Sequence, residues 1–153
     1  MPKLDGRDPG DEAGAVQGVL VVFMAFACTE ETIALTEAEL ERALPEAYRA
    51  RLKRRNGGAV TDPQGNEWEL HPIRDTTDRR RLQRTANHIV RETTVAKGWR
   101  GFPPEGLALG GDGSGNILVM LPRDEHSYED RLYFFDHETG GLEELGDVAS
   151  PRD

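Results

Sequence analysis

The sequence predicts helices followed by a meander of strands, on three observations. Helix-forming patterns occupy the first half, short strands joined by glycine-rich turns occupy the second, and ILVML at Ile117 to Leu121 is apolar throughout, as a strand covered on both faces would be. At 153 residues the chain is long enough for one domain with a real core. The reading is a flexible leader over 1–14, rich in Gly, Pro and charge, and one domain over 15–150.

The elements follow in order. The apolar run Val19 to Cys28 is a core strand or helix, since ten residues fall short of the ~20 that span a bilayer. Asp5, Asp8, Asp11 and Glu12 ahead of it have the wrong sign for a secretory leader ending at Cys28. Thr36 with Glu39 has the form of a capping box opening a short helix. Pro45 suits the first turn of a second helix, with Tyr48 and Leu52 on one face and Lys53, Arg54 and Arg55 at its negative end. Asn56, Gly57 and Gly58 stop it, because they tolerate the left-handed backbone of a C-cap. A turn over Asp62 to Asn66 leads into EWELHPI, where Trp68, Leu70 and Pro72 alternate with polar neighbours as in a half-buried strand. Arg74 to Arg91 then forms an arginine-rich helix anchored by Leu82, Ile89 and Val90. The second half is a meander: ILVML, a charged connection from Pro122 to Asp130, RLYFFDH, a tight turn at Glu138 to Gly141, and LEELGDVA.

Charge narrows the function. The net charge of -9 disfavours general affinity for nucleic acid or anionic lipid, and a basic protein partner is the better electrostatic match. The six arginines between Arg74 and Arg91 invite a nucleic-acid reading, but the segment has no interleaved aromatics. A solvated helix pairing with the protein's own acids is the simpler account. The single cysteine, Cys28, allows no internal disulfide and suits a reducing compartment.

The stretch GGDGSGNILVML, Gly110 to Leu121, is the most suggestive of a ligand loop. It lacks the Lys of a phosphate-binding loop, and a strand rather than a helix follows its glycines. Asp112, Ser114 and Asn116 have the spacing of calcium ligands, but Ile117 and Arg123 stand where that loop needs Gly and Glu. The stretch is instead a turn into a strand, with Gly113 and Gly115 at positive φ, Asp112 and Asn116 capping local amides, and Trp99 and Phe102 anchoring the approach in the core. His137, between Asp136 and Glu138, forms a local cluster of the kind that binds metal or does acid-base work, but a histidine at a strand end bonded to the adjoining turn is the simpler account. No HxxxH or CxxC spacing occurs, so catalysis, a cofactor and a metal all lack a positive case.

Four pieces in order are more specific: ALPEAYRARLKRRNGG, GWRGFPPEGLALGGDGSGNILVML, LYFFDHETGG and LEELGDVA. Together they resemble the SUKH superfamily, which includes yeast cell-wall-synthesis regulators and many bacterial immunity proteins. The resemblance rests on Leu44, Pro45, Tyr48, Asn56, Gly57, Gly58, Trp99, Gly110, Asp112, Gly113, Gly115, Asp136 and His137, and spans about Thr36 to Val148. Asn116 departs from it, where Asp is common. The resemblance implies an α+β fold with helices packed on a largely antiparallel sheet, no catalysis, and a cytoplasmic antidote that binds a polymorphic or contact-dependent toxin, often a nuclease. A regulatory or scaffold module with an endogenous partner is the alternative. Arg123 to Asp147 holds nine acids against two arginines, a balance that would steer association with a basic surface. Asp124, Glu125, Glu129, Asp130, Glu138, Glu143 and Glu144 are the candidate contacts.

Overall fold

A computed structural model describes residues 26–147. The leader, most of Val19 to Cys28, and the tail beyond Asp147 lie outside the described residues. The elements are α1 (Glu30–Leu40), α2 (Glu46–Leu52), β1 (Gly58–Thr61), β2 (Glu67–Leu70), α3 (Arg79–Arg84), α4 (Ile89–Ala96), β3 (Leu107–Gly111), β4 (Ile117–Met120), β5 (Arg131–Phe135) and β6 (Leu142–Asp147). The six strands form one antiparallel sheet in sequence order, so the fold is α+β as expected. Such an order needs only hairpin and short helical connections.

The first helix starts earlier than the capping box implies. Thr29 is the cap, its hydroxyl accepting from the Thr32 N–H at 3.2 Å, with Glu30 and Glu31 at the positive end of the helix dipole. Thr36 is buried within α1. The Glu37 carboxylate accepts from the Leu44 N–H at 2.8 Å and from Arg49 Nε at 3.0 Å, tying α1 to α2. Pro45 stands one position before α2, as its cap. Asn56 completes the corner with two buried bonds to the Ile73 main chain: its Nδ2 donates to the carbonyl at 2.9 Å and its Oδ1 accepts from the N–H at 2.8 Å.

The arginine-rich segment is two short helices, not one. Asp78 caps α3, His88 caps α4, and Thr85 to His88 breaks the run between them. The Thr85 hydroxyl donates to the Arg81 carbonyl and accepts from the Asp75 N–H, which fixes the break.

Burial divides by sheet face. Leu118 and Met120 join the main core with Ile33, Leu52, Trp68, Leu107 and Leu132. Their neighbour Val119 points the other way, into a second cluster with Ala96, Phe102, Ala108 and Phe135. Strand β3 is the element sequence patterns missed, since LALGG has neither alternation nor β-branched residues. It pairs with β2 only at Glu69–Gly111 and Leu70–Gly110. Next to these pairs α4 takes over, its Thr93 hydroxyl accepting from the Ala108 N–H at 2.9 Å.

The β1–β2 turn is held by a buried carboxylate. Asp62 Oδ1 accepts from the Gln64 and Asn66 N–H groups, and Oδ2 accepts from Asn66 Nδ2 and Trp68 Nε1, both at 2.9 Å. Burial pushes this carboxyl up, but the donors outweigh it and hold it below the usual carboxylate range. A depressed pKa contributes stability above the unfolded value of ~3.9 and loses it as pH falls through the folded value. Asp62→Ala should therefore cost about 2 kcal/mol at neutral pH, and the gap to wild type should narrow below pH ~4 in urea denaturation series.

Candidate protein-binding surface

Strand β5 organises the second sheet face. Its alternation sets Tyr133, Phe135 and, just past the strand, His137 along one row, about 6.6 Å apart. On the neighbouring edge strand β6, Leu142 lies opposite Phe135, and Glu144 lies opposite Tyr133. Each member of the row has its own partner. Tyr133 donates to Glu129 Oε1 at 2.9 Å, while Glu144 pairs with Arg131. Partial burial, followed by the Glu129 bond and the Glu144 charge, pushes the Tyr133 phenol up to about 12, so it remains a neutral donor. Phe135 meets Phe102 edge to face at 5.3 Å. His137 meets Trp99 edge to face at 5.6 Å.

Trp99 is therefore not a core anchor. It is 43% exposed, whereas Phe102 is buried as expected. The backbone explains the difference, because Trp99 lies just past the end of α4, where the chain turns at Gly101 before reaching β3. Leu142, opposite the fully buried Phe135, is 40% exposed, and Tyr133 is half-buried.

The glycine-rich loop supports this corner. Gly113 and Gly115 have φ of 88° and 111°. Gly110 and Gly111 belong to β3 and not to the turn, and a strand therefore also precedes the loop. Asp112 accepts from the Ser114 N–H and hydroxyl and from Asn116 Nδ2. Asn116 Oδ1 then reaches across to His137, 2.9 Å from ring Nδ1 and 3.3 Å from the main-chain N–H. A Cβ on Gly115 would sit 2.9 Å from the imidazole, so glycine is required for the ring to lie there. Asp136 accepts from the Glu138 and Thr139 N–H groups, closing the β5–β6 turn.

The seven acids do not form one patch. Glu129 and Glu144 flank Tyr133, and Glu138 follows His137 in the turn. Asp130 is exposed immediately before β5. Asp124 and Glu125 lie in the β4–β5 connection, at the opposite end of β5 from Glu138, where Asp124 caps its own turn through His126 and Ser127. Glu143 lies opposite Phe134 and so faces the other side, since Phe134 packs on Trp68. Tyr133, Leu142 and Arg131 join the face without having been singled out from sequence. The alternation in RLYFF and LEE carries the signal that could have found them.

Among the described residues no group of three or more His, Cys, Asp or Glu could hold a metal, and no helix is long and apolar enough to cross a membrane. The Cys28 thiol is buried and pushed up to about 12, chiefly by desolvation with the Asp75 charge adding to it. It should resist an aromatic disulfide reagent at pH 8 in the native protein and react fully, one thiol per chain, in ~6 M guanidinium.

The SMI1 / KNR4 family (SUKH-1) model matches residues 27–149. The chain belongs to this family. The match begins nine residues before Thr36, so it takes in Thr29 and the start of α1. No curated protein and no solved structure matches the chain significantly.

Proposed function

We propose that this SUKH-1 chain is an immunity protein, a non-catalytic antidote that binds and neutralises a cognate protein toxin in the cytoplasm. The toxin is a polymorphic or contact-dependent effector with a basic surface, of the nuclease type. One observation carries the reading: Glu129 and Glu144 flank the half-buried Tyr133, Asp130 is exposed just before β5, and Leu142 on β6 is 40% exposed. A half-buried tyrosine and an exposed leucine on one face, with carboxylates beside them, suit a contact steered by charge. The segment's excess of seven acids over arginines would raise the association rate with a basic partner and make that rate fall with salt.

Co-expression with each toxin domain encoded beside the gene tests this. Rescue of growth together with a stoichiometric complex on gel filtration is expected. Rescue without a complex, or no rescue by any neighbour, contradicts it. A complex with a non-toxic endogenous protein would instead favour a regulatory module.

A further inference from the structure

Between Asp75 and Ile89 the chain contributes little to the core. Of residues 76–88, Thr85 is buried, Arg81 and His88 are half-buried, and the rest are exposed. Helix α3 lies within this stretch and buries none of its six residues, whereas α1, α2 and α4 each bury three. Its apolar residue, Leu82, is 39% exposed. A helix this short does not hold in water on propensity alone, and Arg80 and Arg84 stand four apart on it as like charges. Side-chain ties therefore keep it in place.

Those ties converge on Asp75 and Phe26. The Thr85 hydroxyl accepts from the Asp75 N–H at 3.0 Å and donates to the Arg81 carbonyl at 2.8 Å. Arg81 Nη1 lies 3.9 Å from Asp75 Oδ2, and the Arg81 and Arg84 guanidiniums lie over the Phe26 ring, 4.6 Å and 5.3 Å from its centre. Phe26 and the nearby Cys28 are fixed from the other side. The Asn56 N–H donates to the Phe26 carbonyl and the Cys28 N–H donates to the Leu52 carbonyl, both at 2.8 Å. After desolvation, which raises the Cys28 thiol most, the Asp75 charge raises it further and the Arg81 charge lowers it, so the thiol lies beside this pair. A segment held by a few polar ties and little buried area opens at a lower cost than a sheet does.

We propose that residues 76–88 form a strap, latched to Asp75 and Phe26 by the Arg81 side chain, that opens as a unit while the sheet stays folded and so uncovers the Cys28 thiol. The device is independent of the β5–β6 face and of what binds there. Native-state amide exchange and thiol labelling on the full chain test it. The Leu82 and Thr85 N–H groups, bonded to the Asp78 and Arg81 carbonyls, should show protection at least ~100-fold below that of β4, while the Cys28 N–H keeps its protection. Arg81→Ala should speed the reaction of Cys28 with an aromatic disulfide reagent about tenfold and leave β4 protection unchanged. Arg80→Ala removes an exposed charge outside the latch and should not speed it. Equal protection in α3 and β4 overturns the proposal, as does loss of protection at the Cys28 N–H together with α3. So does a thiol rate unchanged in Arg81→Ala, or one raised as much by Arg80→Ala.

Discussion

Gly110→Val is expected to leave no folded protein at 37 °C. Gly110 sits in the middle of the sheet, paired with Leu70 on β2 and Leu118 on β4. A Cβ there would fall on the Glu69 carbonyl oxygen, with Leu70 Cα at 3.0 Å. Both obstacles are main chain, which cannot swing aside as a side-chain tip can, so β2 must separate from β3. Two residue pairs and the bond from the His71 N–H to the Leu109 carbonyl at 2.7 Å join this side of β3 to β2, and losing them loosens the β1–β2 hairpin that carries Trp68. Overpacking costs typically 1–3 kcal/mol where side chains can adjust, and more is expected against backbone. Gly110→Ala should already cost about 3 kcal/mol, a fall in Tm of roughly 6–12 °C by calorimetry. Gly113→Ala is the matched control. It too has positive φ but open space around it, so about 1 kcal/mol is expected.

Trp68→Ala is expected to cost about 4 kcal/mol. Trp68 is 2% exposed, packs edge to face on Phe134 at 5.6 Å and donates to Asp62. Truncation removes the largest side chain of the main core, leaves a cavity, and deprives a buried carboxylate of one donor. Trp68→Phe keeps the ring and loses the indole donor, so about 1–2 kcal/mol is expected. A Trp68→Phe as damaging as Trp68→Ala in urea denaturation would assign the stability to the Asp62 bond alone and contradict the packing account.

These two positions also mark how far the sequence could be read. Trp68 and Leu70 alternate with acids, and ILVML lacks polar residues, so β2 and the central β4 follow from pattern alone. The helix start at Thr29 was hidden because Thr36 and Glu39 mimic a capping box inside a helix whose true cap lies outside the apolar pattern. Strand β3 was hidden because it is built for close approach: Gly110 is chosen for what its missing side chain allows, and periodicity does not register an absence. The arginine segment has no periodic signal for the break at Thr85, which depends on a bond to Asp75 ten residues away.

The candidate site was legible in its parts and not in its assembly. The acidic balance of Arg123 to Asp147 is plain in composition, yet the fold turns Glu143 to the opposite side of the sheet from Glu144 and uses Asp124 to cap its own turn. Trp99, His137, Gly115 and Asn116 form a recognisable motif, but their convergence on one exposed indole depends on two loops meeting across the sheet end. A Trp three residues before Phe102 reads as core in sequence. Its exposure is a tertiary fact.

The central claim is that the face of β5 and β6, with Trp99 at one end and Tyr133 at the other, is where a basic protein partner sits. Amide hydrogen exchange on the chain alone and in complex with the toxin domain that co-expression selects measures this directly. Added protection is predicted over 97–102 and 129–144, with the arginine-bearing α3 unchanged. Protection confined to 74–91, with the β5–β6 face exchanging as in the free chain, would contradict it.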